Sequence, residues 1–230
     1  MSKIRTLLII PFLSLFVFVS CDQIDLGDLI TDPNIAEGLK EALNVGTDTA
    51  VSNGSKFNGY FGNPEIKIPF PEEADVVLTV VGAIPGGDAL IDDFVESLNR
   101  AAEDAANKAT PILKDAILEI TFDDAVAILD GADTAATNYL RIHTFEDLYS
   151  AFKPDIQTSL ESVGAQAAWE AVMDLYNSIP FVEDVNTDLA DYATTRGLDG
   201  LFVLVGHEEE KIRNDVNHQV TDLLQEIFGH

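Results

Sequence analysis

The sequence predicts an all-α protein, and three features indicate this class. Apolar residues recur at three- and four-residue spacing along most of the chain, glycine and proline separate these stretches at helix length, and no second alternating segment offers a strand partner. The segment 63–71 alternates but contains three prolines, so we expect an extended arm laid across the helices. The predicted fold is a single multi-helix, bundle-like domain with one extended Pro-containing arm.

The predicted helices follow one another from Pro33 to the end of the chain. Their expected ranges are 33–54, 71–81, 88–107, 110–120, 122–129, 133–140, 144–164, 167–179, 189–213 and 221–228. Thr110 and Thr121 are expected N-caps, and Pro154 is expected to kink or split the helix that contains it. Leu90 is assigned to the buried face of helix 88–107. Three glycines in helix 189–213 predict close helix packing.

The first 21 residues predict a targeting signal. Lys3 and Arg5 precede a run of fourteen apolar or small residues that ends at Ser20-Cys21, and Cys21 is the only cysteine. A spanning helix needs about 20 apolar residues, so this run favours a cleaved signal. We expect residues 1–20 to be a lipoprotein signal peptide, Cys21 to carry the lipid, residues 21–32 to form a tether and 33–230 to form the domain.

Composition narrows the classes of partner. The chain has 40 acidic and 13 basic residues and a formal net charge of −27. Nucleic-acid binding needs a basic stripe, and the basic residues here are scattered, so we exclude that function. The expected partner is the membrane, contacted through the N-terminal lipid. The expected location is the cell envelope, with the domain lipid-anchored on the periplasmic or outer-membrane side.

No metal or cofactor is predicted. Residues 184–188 match the start of a calcium-binding EF-hand loop, but the glycine and bidentate glutamate positions hold Leu189 and Thr195. Capping of the following helix is the favoured explanation. His207-Glu208 begins like a zinc-protease helix, yet Lys211 stands at the position of the second histidine. No serine-hydrolase motif occurs either.

Two polar clusters are candidate sites. The first lies at a predicted helix junction and contains an acid, hydroxyls and a cation: Asp130, Asp133, Thr134, Tyr139 and Arg141. The favoured alternative is helix capping by Asp133 or Thr134, which uses the same residue types. The second cluster is Asn99-Arg100, where a structural ion pair of the arginine is favoured over an anion clamp.

Four stretches of the chain resemble a bacterial family of helical lipoproteins, domain-of-unknown-function family 4197. The stretches are Gly59–Pro69, Ser97–Glu103, Ile128–Tyr139 and Leu198–Phe202, and the resemblance runs from about Asn34 to Gly229. It implies a Gram-negative envelope lipoprotein with one helical domain, and the family has no established activity to transfer. The chain departs from the expected pattern at 217–220, before the last helix.

These observations favour a binding or interaction module in the cell envelope, which would bind an envelope protein or a small ligand. The alternative is an envelope enzyme with a polar site around Asp130–Arg141. If Asp130, Asp133, Tyr139 and Arg141 face one cleft, the enzyme or ligand-binding hypothesis gains; if they only cap helices, a scaffolding role gains. A flat apolar surface would instead favour a structural role at the membrane.

Overall fold

The helices account for most of the chain in a computed structural model that describes residues 34–82, 85–162, 164–166, 169, 188–219 and 225. The α-helices are α1 (Asn34–Ser55), α2 (Asp75–Gly82), α3 (Gly87–Ala106), α4 (Ala109–Glu119), α5 (Phe122–Leu129), α6 (Ala135–Ser162) and α7 (Leu189–Asn214). Short 3₁₀ turns occupy Glu72–Ala74 and Val216–His218. No strand occurs in these ranges, so the all-α prediction is confirmed.

Helix α7 lies at the centre, where it packs against α1, α3 and α6. Small residues allow this close approach, as the sequence predicted. A Cβ added at Gly197 would lie 3.4 Å from the Cβ of Ala102, and one at Gly200 would lie 2.8 Å from the Tyr60 ring. Leu198 and Leu201 complete the buried face of α7. Burying each such leucine stabilises the fold by about 1.5–3 kcal/mol.

The arm prediction for residues 63–71 is also confirmed, because this segment has no strand or helix. The side chains of Ile66 and Ile68, which belong to the arm, are buried. Asn99 supplies the hydrogen bonds that a neighbouring strand would otherwise give: its side chain accepts from the Ile68 N–H and donates to the Ile68 carbonyl, both at 2.8 Å. The buried backbone of the arm is thereby satisfied by a side chain.

Two predictions about α3 and α4 are wrong. Thr110 is not an N-cap, because α4 begins one residue earlier at Ala109. Pro111 is then the third helical residue, where the missing N–H costs nothing because the first turn has no intrahelical acceptors. Leu90 is 66 % exposed, since the first half of α3 extends beyond the core and most of the buried residues of this helix lie from Leu98 onward.

The predicted helices 133–140 and 144–164 form one helix, α6, with Pro154 inside it. Thr144 does not start a helix; its hydroxyl donates to the Leu140 carbonyl at 2.7 Å. The proline removes one intrahelical hydrogen bond. Burial of Leu148, Phe152 and Ile156 along one face on either side of the proline offsets that loss.

Some predictions lie outside the described residues, namely the signal peptide, the tether, most of helix 167–179 and nearly all of helix 221–228. In the ranges given above, no helix has both the length and the apolar character to cross a membrane.

Candidate functional site

The predicted site at the α5–α6 junction does not form a cleft of its own. Asp130, Asp133 and Thr134 are all exposed. Thr121 caps α5 in a reciprocal capping box with Asp124, as predicted. The start of α6 differs from the prediction. Within the described residues, neither the Asp133 nor the Thr134 side chain accepts a hydrogen bond from a first-turn N–H of this helix.

Glu209 of α7 caps α6 instead. Its carboxylate accepts the N–H of Ala136 at 3.0 Å, and the N–H and hydroxyl of Thr137 at 2.8 and 2.7 Å. These N–H groups lack intrahelical acceptors, and a carboxylate suits the positive end of the helix dipole. The residue that satisfies the first turn of α6 therefore lies more than seventy positions away in the sequence.

Arg213 completes this clamp. Its guanidinium donates to Glu209 at 2.9 and 3.0 Å, and to the carbonyls of Ile128 and Leu129 at the end of α5. One buried ion pair thus satisfies the end of one helix and the start of the next. The junction that attracted a site prediction is a structural joint between α5, α6 and α7.

The Asn99-Arg100 cluster is structural too. Arg100 pairs with Glu96 at 2.8 Å and with Glu103 at 2.7 Å, which confirms the predicted internal ion pair. Glu103 also accepts the N–H groups of Tyr60 and Phe61 at 3.0 and 3.1 Å. The Tyr60 hydroxyl donates to the Gly197 carbonyl at 2.7 Å. Burial, with the nearby Glu103 charge, raises the pKa of Tyr60, so this hydroxyl remains a donor.

Tyr139 faces away from Arg141 and lines a separate cleft of about 250 Å³ between α4 and α6. Its hydroxyl lies 3.4 Å from Asp124, and its ring centre lies 4.2 Å from that of His143. Burial and the Asp124 charge raise the pKa of Tyr139, whereas hydrogen bonds from Thr121 lower the pKa of Asp124. Tyr139 therefore acts here as a donor to an ionised carboxylate.

The separation of Tyr139 from Arg141 was readable from the sequence. Residues two apart on a helix point about 200° away from each other, which places the two side chains on opposite faces of α6. The four residues Asp130, Asp133, Tyr139 and Arg141 consequently do not share one cleft, and the condition set for an enzyme or ligand-binding site made of these four residues is not met.

Arg141 and Thr134 do meet in a groove between α6 and α7, which we call the Arg141 groove. It has a volume of about 350 Å³ and is lined by Thr134, Thr137, Asn138, Arg141, Asp199, Phe202, Val203, Gly206, His207 and Glu210. Its lining combines apolar residues, Phe202 and Val203, with charged and polar ones. Pockets of this size that combine an apolar surface with a few converging polar groups are typical of small-ligand sites.

Arg141 is held in place at the groove. Its guanidinium pairs with Asp199 and lies 5.2 Å from the ring centre of Phe145 and 5.3 Å from that of Phe202. Among the residues that the structure describes, one of its five N–H donors has an acceptor. By comparison, Arg100 uses donors on all three of its nitrogens for contacts to Asn58, Glu96 and Glu103. Arg141 is therefore both ordered and available to a ligand.

Sequence reasoning missed Glu103 and Glu209, as well as Asp199 and His207 in the groove. No local signal distinguishes Glu209 from the other acidic residues, whereas Glu103 lies in the Ser97–Glu103 stretch that carried the family resemblance. Asp199 lies in the Leu198–Phe202 stretch that carried the family resemblance, so that signal was present but unassigned. Capping of the following helix was predicted for the segment 184–188; Asp188 does cap α7, since its side chain accepts the Asp191 N–H at 2.9 Å, and residues 184–187 lie outside the described residues.

No group of three or more His, Cys, Asp or Glu side chains in the part of the chain that the structure describes is arranged to hold a metal ion. Two acidic clusters are included in this finding and do not form such a group: Asp92, Asp93 and Glu96 of α3, and Glu119, Asp123 and Asp124 around the α4–α5 turn.

The fold and the sequence together define a helical protein. The family described as "Protein of unknown function (DUF4197)" matches residues 29–229, and the chain belongs to this family. No curated protein and no solved structure matches the chain.

Proposed function

We propose that this protein is a lipid-anchored binding module of the bacterial cell envelope. Support for the anchor comes from the basic residues, short apolar run and single cysteine that end at Cys21. A lipid on Cys21 places the domain at the periplasmic or outer-membrane side, at the end of a tether of residues 21–32. Its activity is then to hold a small ligand close to the membrane.

The binding proposal rests on the contacts that hold the Arg141 guanidinium at the groove. A guanidinium positioned by Asp199 and two aromatic rings has lost much of its rotamer freedom before any ligand arrives, so little further entropy is lost on binding. Arg141 lines the groove together with the apolar residues Phe202 and Val203. Phe202 and Val203 provide apolar contacts to the ligand, and hydrogen bonds from Arg141 fix the orientation of the ligand.

The anchor is tested by Cys21→Ser. The variant is expected to lose metabolic labelling by fatty acid and to leave the membrane fraction, while the unaltered protein, labelled in parallel, serves as the control. Unchanged labelling or unchanged membrane partitioning of the Cys21→Ser protein would contradict the proposal.

The groove is tested by photo-crosslinking in living cells. A photoreactive amino acid replaces Val203, which lines the groove, or Val45 on α1, which does not; the two valines are 36 % and 37 % exposed and so form a matched pair. We expect a discrete low-mass adduct from position 203 and none from position 45. Equal labelling at both positions, or no adduct at 203, would count against a ligand in the groove.

A further inference from the structure

A second cavity adjoins the Arg141 groove. It lies between the arm and α7, has a volume of about 140 Å³, and shares Asp199 and Val203 with the groove. Its cations are Lys67 from the arm and Arg196 from α7. A molecule bound in the groove can therefore extend into this second, charged cavity.

Lys67 and Arg196 differ from most cations of this protein. In the described ranges, eight lysine and arginine side chains have a carboxylate within 4.0 Å, and three do not. The three are Lys56, Lys67 and Arg196, and two of them line this one cavity. In a chain with a net charge of −27, such a pair is a local exception to an acidic surface.

Arg141 neutralises one of the two carboxylates in the cavity wall, because it pairs with Asp199. The other carboxylate, Glu65, lies 3.1 Å from His207. Lys67 and Arg196 therefore outnumber the remaining carboxylate, and the net charge of the cavity wall is positive.

Aromatic rings position both cations. The Lys67 ammonium lies 4.3 Å from the ring centre of Phe61, and the Arg196 guanidinium lies 5.6 Å from that of Tyr192. These cation–π contacts hold the side chains without neutralising them.

We propose that Lys67 and Arg196 bind an anionic group, a phosphate or a carboxylate, of the ligand whose apolar part occupies the Arg141 groove. This inference rests on the proposed function and specifies its ligand class: an anionic group joined to an apolar body. Arg196 can engage two oxygens at once, and Lys67 adds a point charge from the opposite wall. The apolar body then contacts Phe202 and Val203 in the adjoining groove.

The test uses the full anchored chain in nanodiscs of neutral phosphatidylcholine, titrated with hexyl phosphate and, separately, with inorganic phosphate. We expect saturable binding of hexyl phosphate that is at least tenfold tighter than that of inorganic phosphate, because only the ester places carbon in the groove. Lys67→Gln and Arg196→Gln are each expected to weaken hexyl phosphate about tenfold. Lys56→Gln removes the same charge away from the cavity and should leave the affinity unchanged.

The outcomes separate the two proposals. If Val203→Glu abolishes binding while Lys67→Gln and Arg196→Gln have no effect, the groove binds a ligand but the anion subsite is wrong. If hexyl phosphate does not bind saturably, the ligand class is wrong, whereas the crosslinking from position 203 still decides whether the groove is a site. Lys67→Arg should retain binding, which distinguishes lost charge from a displaced arm.

The source of the anion is resolved by adding phosphatidic acid to the nanodiscs. Competition with hexyl phosphate would identify a membrane phospholipid as the ligand. Unchanged affinity would identify a soluble phosphate or carboxylate compound.

Discussion

Glu103 and Glu209 lie on different helices, yet each holds a distant piece of chain in the same way. Glu103 accepts two consecutive backbone N–H groups, from Tyr60 and Phe61, and pairs with an arginine one turn away. Glu209 does the same with Ala136 and Thr137. Both carboxylates are buried, so their cost of desolvation is offset only if every partner is present.

The two clamps differ in what their arginines do. Arg213 is 11 % exposed and uses its other donors on the last carbonyls of α5, so the Glu209 clamp joins three helices. Arg100 is 23 % exposed, pairs with Glu96 as well as with Glu103, and has its guanidinium 3.9 Å from the centre of the Phe57 ring. The Glu103 clamp therefore fixes one loop to one helix. The same device therefore contributes unequally to stability at the two places.

The largest expected effect is that of Glu209→Ala. Removing this carboxylate breaks its buried ion pair with Arg213 and leaves two helix N–H groups without the Glu209 acceptor, so we expect a loss of about 3–5 kcal/mol in the free energy of unfolding. Urea denaturation measures it. The exposed neighbour in Glu210→Ala should change stability by less than about 0.5 kcal/mol. A loss below about 1 kcal/mol for Glu209→Ala would refute the clamp.

Glu103→Ala is expected to cost less, about 2–3 kcal/mol, because Arg100 keeps Glu96 and reaches solvent. Hydrogen exchange locates the effect: the Tyr60 and Phe61 amides should exchange much faster, while the start of α6 stays protected. Asp104→Ala is the matched control on the exposed side of α3. Equal losses for the two glutamates would remove the distinction between a three-helix clamp and a loop clamp.

Gly200→Ala tests whether close packing of α7 against Tyr60 helps to hold the loop that Glu103 binds. The new Cβ would lie 2.8 Å from the Tyr60 ring and 3.0 Å from Ile66, so we expect a loss of about 1–3 kcal/mol from overpacking. Gly206→Ala is the control in the same helix, since its nearest contact is 3.8 Å away. That control should be neutral or slightly stabilising through better helix propensity. Thermal or urea unfolding compares them, and equal effects would mean that the Gly200 contact is unimportant.

The smallest expected effect is that of Asp133→Ala. An N-cap at this position would cost about 0.5–2 kcal/mol on removal, but Glu209 already accepts the first-turn N–H groups of α6. We expect a change of less than about 0.5 kcal/mol in urea unfolding, as for other exposed positions. A loss near 2 kcal/mol that Asp133→Asn restores would show that the junction is capped locally after all.

The sequence predicted the positions of most helices because the relevant signals act over one or two turns. Apolar spacing, the Thr121 cap and the prolines of the arm are all local, and each is satisfied where it occurs. Predictions failed where a neighbour overrode a local signal. Pro154 does not end α6, because the residues on both sides of it face a common core.

By itself, then, the sequence determined an all-α chain with an extended arm, a family membership and a short list of polar residues. Only the tertiary structure decided which of those residues act together. It buried Glu103 and Glu209 among 40 acidic residues, placed Tyr139 in a cleft with residues of α4, and brought Lys67 to the same cavity as Arg196. The physical reason is that burial and pairing depend on contacts between distant segments, whereas helix signals depend on neighbours within a few residues.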